Sequence, residues 1–245
     1  MSDKIEGIVL SARDYREHDM ILTVLTKEYG KQSLIARGLK KIKSKNLASS
    51  QIFTHAYFYF HYHEGSTMHT LTTSDIIQSH RVLREDLLKQ SIASIFCEIC
   101  EMMENEQSED IFHLLIESFH ILMQTDNPYV IACLFMSCIL QMQGIEPYVD
   151  GCVCCHRKQG ICSISWKDGG FVCQYCYHPR MGKCYEIEQL KLFRLVSKAQ
   201  LEHYSILTTY TDWNYDHFLL HYTFFEHYSG VHLKSIKFLQ CLQNM

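Results

Sequence analysis

The amino-terminal part of the chain alternates short apolar runs with polar turns, and this pattern is typical of β-strands. Runs rich in β-branched residues occupy positions 8–12, 20–26 and 32–37, and a fourth run spans 52–62. After a polar turn, the run at 67–73 supplies a fifth strand. Five short strands in so short a stretch predict a small closed barrel of the oligonucleotide-binding (OB) type.

The run at 52–62 has a two-residue period with aromatic side chains on both faces. One face carries Ile52, Thr54, Ala56, Phe58 and Phe60, and the other carries Phe53, His55, Tyr57 and Tyr59. The rings of Phe53, Tyr57 and Tyr59 suit either of two uses, stacking on nucleic-acid bases or packing against a helix. Packing is the commoner use of such a stripe, and we favour it.

From about residue 80 the apolar residues recur every three to four positions, which predicts helices. The periodic stretches are 92–103, 111–122, 187–196 and 218–225, and the run at 130–142 is apolar nearly all round. Asn127-Pro128 predicts the start of this buried helix, and Ser108 is a candidate N-cap for the helix at 111–122. The expected fold class is α+β, with a barrel domain at 1–79 and a helical domain at 80–245.

Six of the twelve cysteines fall between Cys152 and Cys176. At first sight such a stretch suits a disulfide knot, a redox centre, a catalytic metal or a structural metal. The first residues show no export signal, so we expect a reducing cytosol, where clustered thiols hold metal more often than they form disulfides. Five further cysteines fall on apolar helical segments and are expected in the core: Cys97, Cys100, Cys133, Cys138 and Cys241.

Two Cys-x2-Cys pairs, Cys152/Cys155 and Cys173/Cys176, are separated by seventeen residues, as in a zinc ribbon. Each pair can turn two sulfurs toward one ion, and two pairs complete the tetrahedron that suits Zn²⁺. The residues between them predict a hairpin turning at Asp168-Gly169-Gly170. We therefore expect a zinc ribbon-like module at about 150–180, inserted in the helical domain. Neighbouring thiols and imidazoles stay open as replacement ligands: Cys154, Cys162, Cys184, His156 and His178.

Four thiolates would close the coordination sphere, which favours a structural metal over a catalytic one. The zinc deaminase signature needs His-x-Glu and a proline before the second cysteine pair, whereas this chain has no His-x-Glu and has Val172 at that position. It also contains no phosphate-binding Gly-x4-Gly-Lys-Ser/Thr motif. We expect neither catalysis nor an ATP-driven step.

Charge is distributed unevenly along the chain, although the formal net charge is only −4. The segment 37–45, here called the basic segment, carries five cations and no acid: Arg37, Lys40, Lys41, Lys43 and Lys45. By contrast, residues 90–151 contain ten acids and no lysine or arginine. A cationic loop on a barrel neutralises phosphates without reading sequence, so the basic segment is our candidate DNA-binding site. An ordinary solvated loop is the alternative.

Several motifs also resemble a known family across nearly the whole chain. At the opening they are Tyr15–Asp19, Thr26–Lys31 and Gly38–Ser44; further on they are the stretch 79–89 and the cysteine knuckles of 144–176 with their preceding proline and double glycine. Together these motifs resemble the bacterial DNA repair protein RecO family. The extra thiols around the knuckles depart from the family pattern, which leaves the identity of each metal ligand open.

The resemblance implies an OB barrel, a helical domain and a structural zinc module in a recombination mediator. Such proteins bind single- and double-stranded DNA, anneal strands coated by single-strand binding protein and, with the partner RecR, help to load RecA. They bind the acidic C-terminal tail of single-strand binding protein through the helical domain. Lys191, Arg194 and Lys198 share a helix face and are a possible receptor, with a solvated face as the alternative.

The resulting hypothesis is a cytoplasmic, nucleoid-associated DNA repair protein without membrane association, whose longest apolar run is too short for a membrane span. Two other classes stay open. One is a zinc-ribbon adaptor or RNA-binding interaction protein without annealing activity. The other is a metal-dependent enzyme.

Overall fold

The computed structural model describes residues 3–41, 44–210 and 213–243. Its strands are β1 (Asp3–Tyr15), β2 (Asp19–Thr26), β3 (Gly30–Ala36), β4 (His55–Phe60), β5 (Met68–Gln78), β6 (Ile161–Ser165) and β7 (Gly170–Cys173). Its helices are α1 (Val82–Glu85), α2 (Leu87–Met102), α3 (Ser108–Gln124), α4 (Pro128–Met142), α5 (Ile187–Ser197), α6 (Tyr204–Leu207), α7 (Tyr215–Ser229) and α8 (Ile236–Gln243).

The first five strands close into a barrel in the order β1-β2-β3-β5-β4, and β4 pairs back with β1. All neighbours are antiparallel except β3 and β5, which pair in parallel. A closed five-stranded Greek-key barrel of this kind is an OB fold. The predicted fold class, an OB barrel followed by a helical part, is therefore confirmed.

Apolar side chains from all five strands fill the barrel. This core consists of Ile5, Val9, Leu22, Val24, Leu34, Ala36, Leu39, Ala56, Phe58, Phe60 and Leu71. A bulge between Val9 and Ser11 bends β1, so that its first half pairs with β4 while it continues to pair with β2. At Gly7 a Cβ atom would lie 2.5 Å from Val24 Cγ1, so glycine allows the two strands to approach closely here.

Strand β4 confirms the predicted alternation, because Ala56, Phe58 and Phe60 face the barrel core. The strand starts at His55, later than predicted, because Phe53 has a left-handed backbone with φ of 70°. The Phe53 ring is buried and meets the Phe119 ring edge-on at 5.6 Å between centroids. The packing interpretation is thus confirmed for Phe53.

The other two aromatic residues of that face are half-buried. Lys4 Nζ lies 3.7 Å above the centre of the Tyr57 ring. Tyr59 interacts with Asp75 on β5, and their hydrogen bond raises the pKa of the Tyr59 phenol. Both rings therefore have partners on the barrel itself.

The described residues up to Thr125, together with those from Leu233 onward, form one compact unit that contains the barrel. Lys31 on β3 fastens α2 to the barrel, because its ammonium donates to the carbonyl oxygens of Glu101, at 2.7 Å, and Met103. Helix α8 packs on α2 in the same unit. There the Glu98 carboxylate accepts hydrogen bonds from the backbone of the segment that leads into α8.

The described residues of 126–232 form the second compact unit, which contains the cysteine knuckles. Helix α4 is its centre: twelve of the fifteen residues are buried, and the helix packs against α5 and α7. Its start agrees with the prediction, since Pro128 is the first helical residue and the Asn127 side chain accepts a hydrogen bond from Tyr129 N at 3.3 Å.

Two smaller predictions are wrong. Ser108 is the first residue of α3 rather than its N-cap, because a 3-10 turn at Asn105–Gln107 runs directly into the helix. Cys241 is exposed, because the buried face of α8 is formed by Ile236 and Leu239. The other four helical cysteines are buried as predicted: Cys97, Cys100, Cys133 and Cys138.

None of the helices in the described part of the chain has the length and apolar character that a membrane span requires.

Candidate metal centre and nucleic-acid interface

Each cysteine pair sits on a tight backbone turn. In the first knuckle, Cys152 N donates to Arg157 O and His156 N donates to Cys152 O, both at 2.8 Å. His156 closes this turn with a left-handed φ of 58°. In the second knuckle, Cys173 O accepts from Cys176 N at 3.0 Å and from Tyr177 N at 2.9 Å. These turns point both sulfurs of each pair to one side.

A β-hairpin carries the second knuckle and brings it to the first. Strands β6 and β7 are antiparallel and are joined by a turn in which Gly169 has a φ of 72°. Ser165 Oγ donates to the Asp168 carboxylate at 2.7 Å and so closes the turn. A Cβ atom on Gly170 would lie 2.4 Å from Tyr148 O. Only glycine at this position therefore lets the backbone at Tyr148, just before the first knuckle, approach the hairpin so closely. The hairpin predicted at Asp168-Gly169-Gly170 is therefore present.

Four sulfur atoms converge at the meeting point of the two knuckles. The Sγ atoms of Cys152, Cys155, Cys173 and Cys176 all lie within 4.8 Å of one another. Cys155 Sγ and Cys173 Sγ are 3.6 Å apart. Four sulfurs at about 2.3 Å from a tetrahedral ion are separated by about 3.8 Å, so this cluster has the size that a bound metal requires. It could hold a metal ion.

The protein environment favours the thiolate form at two of these sulfurs. Burial raises the pKa of the Cys152 thiol, but hydrogen bonds from the amides of Cys173, Cys155 and Cys154 lower that pKa to about 6. Burial also raises the pKa of the Cys173 thiol, but hydrogen bonds from the amides of Cys176 and Tyr175 bring that pKa below its ordinary value. Thiolate is the form that binds metal, so one sulfur of each knuckle favours that form, whereas a hydrogen bond with Cys155 raises the pKa of Cys176.

The neighbouring thiols and imidazoles that were open as replacement ligands have other contacts. Cys162 Sγ lies 3.7 Å from Val172 O, and its thiol also interacts with that of Cys184. The His156 ring lies edge-on to Tyr148 at 6.0 Å. His178 Nδ1 accepts a hydrogen bond from Arg180 N at 3.2 Å. Cys154 is exposed and is not among the four converging sulfurs.

The basic segment follows β3 and lies beside the β1–β2 hairpin. Gly38 N donates to the Asp19 carboxylate at 2.8 Å, and Lys40 N donates to His18 O at 3.1 Å. Leu39, in the middle of the segment, is buried in the barrel core. The backbone from Gly38 to Lys40 is therefore fixed to one end of the barrel.

The cations of the basic segment differ in their availability. Lys40 Nζ is 2.8 Å from the Asp14 carboxylate, so this lysine is already paired. Arg37, Lys41 and Lys45 are exposed, and none of them forms an ion pair within the described ranges. Lys43 lies outside the described residues. Sequence reasoning missed Arg13 and Arg16, which are exposed on the adjacent hairpin and could have been found from its Arg-x-x-Arg spacing.

The cationic helix face in the second unit is largely neutralised by acids. Lys191 pairs with Glu188 at 2.7 Å. Arg194 and Lys198 both pair with Asp150, at 3.1 and 2.7 Å. An acidic peptide would have to displace these carboxylates. The ion pairs therefore favour an ordinary solvated helix face over a receptor for the acidic tail of single-strand binding protein.

Comparisons with known proteins agree with this geometry. A family model described as recombination protein O N terminal matches residues 1–80, and one described as recombination protein O C terminal matches residues 84–235. A DNA repair protein RecO from Halalkalibacterium halodurans is 32% identical over 249 residues, which cover 100% of this chain and 97% of the relative. Proteins of the same name from Bacillus mycoides and Bacillus cereus are each 30% identical, with 99% of this chain and 98% of the relative covered.

Proposed function

Because the chain belongs to the RecO family of DNA repair proteins, and so has a role in recombinational repair, we propose that it acts as a recombination mediator. It binds single- and double-stranded DNA and pairs complementary strands. Together with RecR it assists the loading of RecA onto DNA coated by single-strand binding protein, whose acidic tail it contacts. It works in the cytoplasm at the nucleoid, and it has no catalytic activity of its own.

The observation that carries the DNA-binding part of this proposal is the basic segment on a closed OB barrel. The backbone amides of Gly38 and Lys40 are fixed by hydrogen bonds, while the side chains of Arg37, Lys41 and Lys45 are exposed to solvent. A fixed loop presents its cations to a phosphate chain at a smaller cost in backbone conformational entropy than a free loop does. Contacts of this kind bind the DNA backbone without selecting a sequence.

We further propose that the four converging cysteines hold a structural Zn²⁺. Thiolates are the ligands that zinc prefers in closed structural sites, and four of them leave no position for a water molecule. When bound, the ion supplies a cross-link between the two knuckles. This role needs no substrate at the metal, which agrees with a mediator rather than an enzyme.

The first test is the salt dependence of single-strand binding by a variant with Arg37→Ala, Lys41→Ala and Lys45→Ala. Each lost phosphate contact lowers the slope of log affinity against log salt by about 0.7. We therefore expect the slope to fall by about 2 in the triple variant, measured by anisotropy of a labelled oligonucleotide.

Lys40→Ala and Lys191→Ala serve as matched controls, because each removes a lysine that is already paired with a carboxylate. Both should change the slope less than any single substitution in the triple set. If the triple variant keeps the wild-type slope, the basic segment is not the DNA site.

A further inference from the structure

The cysteine module has a charge balance opposite to that of the whole chain. Residues 152–185 carry five cations and a single carboxylate, that of Asp168, within a chain whose formal net charge is −4. The five cations are Arg157, Lys158, Lys167, Arg180 and Lys183. A Zn²⁺ ion held by four thiolates carries a net charge of about −2, so the loaded module keeps an excess of about two positive charges.

These cations are not paired with carboxylates in the described part of the chain, in contrast to the cations on the exposed face of α5. All five are exposed. The single acid of the segment, Asp168, already accepts the Ser165 hydroxyl at 2.7 Å. On the α5 face, by contrast, Lys191 and Lys198 each have a carboxylate at 2.7 Å. The module is thus an unneutralised positive surface.

Aromatic rings are interleaved with the free cations. The Arg157 guanidinium lies 4.5 Å from the centre of the Tyr175 ring, and this tyrosine is 70% exposed. Lys183 Nζ lies 5.1 Å from the centre of the Tyr185 ring. Cations beside exposed aromatic faces are the combination by which proteins hold single-stranded nucleic acid, with phosphates on the cations and bases on the rings.

A groove at the tip of the β6–β7 hairpin also combines cations with an aromatic ring. Its volume is about 690 Å³, and its lining includes Trp166, Lys167, Asp168, Arg180, Met181 and His227, so two cations and the one carboxylate of the segment border it. The Trp166 indole packs at 6.0 Å from the Phe224 ring, and Tyr228 donates to the Trp166 carbonyl at 2.7 Å. The ring is therefore held in place at the groove while its neighbours Lys167 and Arg180 stay exposed.

We propose that this groove is a second binding site for single-stranded nucleic acid, in which Trp166 stacks on a base while Lys167 and Arg180 contact the flanking phosphates. The site is formed mainly by residues of the cysteine module and shares none with the basic segment of the barrel. An acidic protein segment would also be attracted by the cations, but only nucleic acid carries a planar base beside every phosphate, which is the spacing that a ring between two cations uses. The interleaving of rings and cations favours nucleic acid.

The fluorescence of Trp166 tests this proposal directly. The chain has two tryptophans, and Trp213 is only 4% exposed with its indole N–H donated to Leu207 O at 2.9 Å. Titration of the full-length, zinc-loaded protein with a short oligothymidylate should quench the emission of Trp166 by stacking. Trp166→Phe should abolish the quenching. Lys167→Ala with Arg180→Ala should weaken it and lower the salt slope of the quenching by about 1.4.

Two controls separate this site from the barrel. Lys191→Ala should leave the quenching unchanged, and the triple variant of the basic segment should retain it. If anisotropy reports binding of the oligonucleotide but Trp166 is not quenched, the second site is wrong while the barrel site stands. If the Lys167 and Arg180 variant behaves as wild type, or if polyglutamate quenches Trp166 and the oligonucleotide does not, the groove is not a nucleic-acid site.

Discussion

His80 is a buried residue between the last barrel strand and the first helix. It is 2% exposed, has a left-handed φ of 45° and donates from Nδ1 to Phe53 O at 2.7 Å. Its Nε2 atom is buried and has no hydrogen-bond partner among the residues that the structure describes. Burial therefore lowers the pKa of His80 to about 4, and the folded protein holds this imidazole in the neutral form.

The low pKa of His80 predicts a loss of stability in mild acid. The unfolded chain takes up the proton at a pKa of about 6.5, so the free energy of unfolding falls as the pH drops below that value and toward 4. Asparagine tolerates the left-handed backbone and can donate to Phe53 O, but it does not titrate. When the pH is lowered from about 7 to about 5, the free energy of unfolding should fall in both proteins. We expect the fall to be about 2 kcal/mol smaller in His80→Asn than in wild type.

Urea unfolding at the two pH values measures this difference. His113→Asn is the matched control, because it makes the same substitution at a histidine on the exposed side of α3 and not in the core. Equal losses in wild type and His80→Asn would contradict the neutral buried imidazole.

At the same scale, local spacing predicts some functional residues but not their partners. The four cysteines that converge are the four whose Cys-x2-Cys spacing marked them, because a knuckle is built within a few residues. The carboxylate that pairs with Lys40 belongs to Asp14 on β1. The one that pairs with Lys198 belongs to Asp150, which is distant in sequence. Spacing shows which residues share a face, whereas the groups opposite that face depend on the fold.

Among the elements, the cysteine module is the one whose stability we expect to depend on the proposed metal. The apolar cluster that packs around the knuckles is small: the buried residues Cys152, Val172 and Cys173, with a few half-buried neighbours. So small a core stabilises little structure by itself, and a metal usually supplies the remainder. We expect removal of zinc by a chelator, or Cys173→Ser, to unfold the module while the barrel stays folded.

Hydrogen exchange measured by mass spectrometry distinguishes the two parts. Protection should be lost in the peptides that span β6 and β7 and retained in those of β1 to β5. Cys184→Ser is the control, because its thiol is not among the converging sulfurs and the variant should keep both zinc and protection. Loss of zinc on this substitution, or a fully protected module without metal, would contradict the assignment of ligands.

The periodic patterns predicted the strands and helices well, and they failed at boundaries set by tertiary contacts. The alternation in 52–62 gave the correct inward face of β4 but not its start. Phe53 turns away from the strand to pack on Phe119, a contact that spans the barrel and α3. Helix α8 has only eight residues, so its pattern placed Cys241 on a helical segment but on the wrong face of it.

For the whole molecule, composition and motif order indicated a barrel followed by helices, which the strand order confirms. The return of the chain end to the barrel-containing unit was not predictable. It depends on Glu98, whose carboxylate accepts from Lys234 N and Ser235 N at 2.8 Å across more than a hundred residues of sequence. The division into functional domains at 1–79 and 80–245 stays a prediction.

We propose that this chain pairs complementary DNA strands without catalysing a chemical reaction. Annealing of complementary labelled oligonucleotides coated with the cognate single-strand binding protein, in the absence of nucleotide triphosphate, measures that activity. Wild type should accelerate pairing, and the variant with Arg37→Ala, Lys41→Ala and Lys45→Ala should do so much more weakly, because fewer phosphate contacts remain to hold the two strands together. A rate equal to that of the uncatalysed strands, with folded and zinc-loaded wild-type protein, would contradict the claim and favour an adaptor.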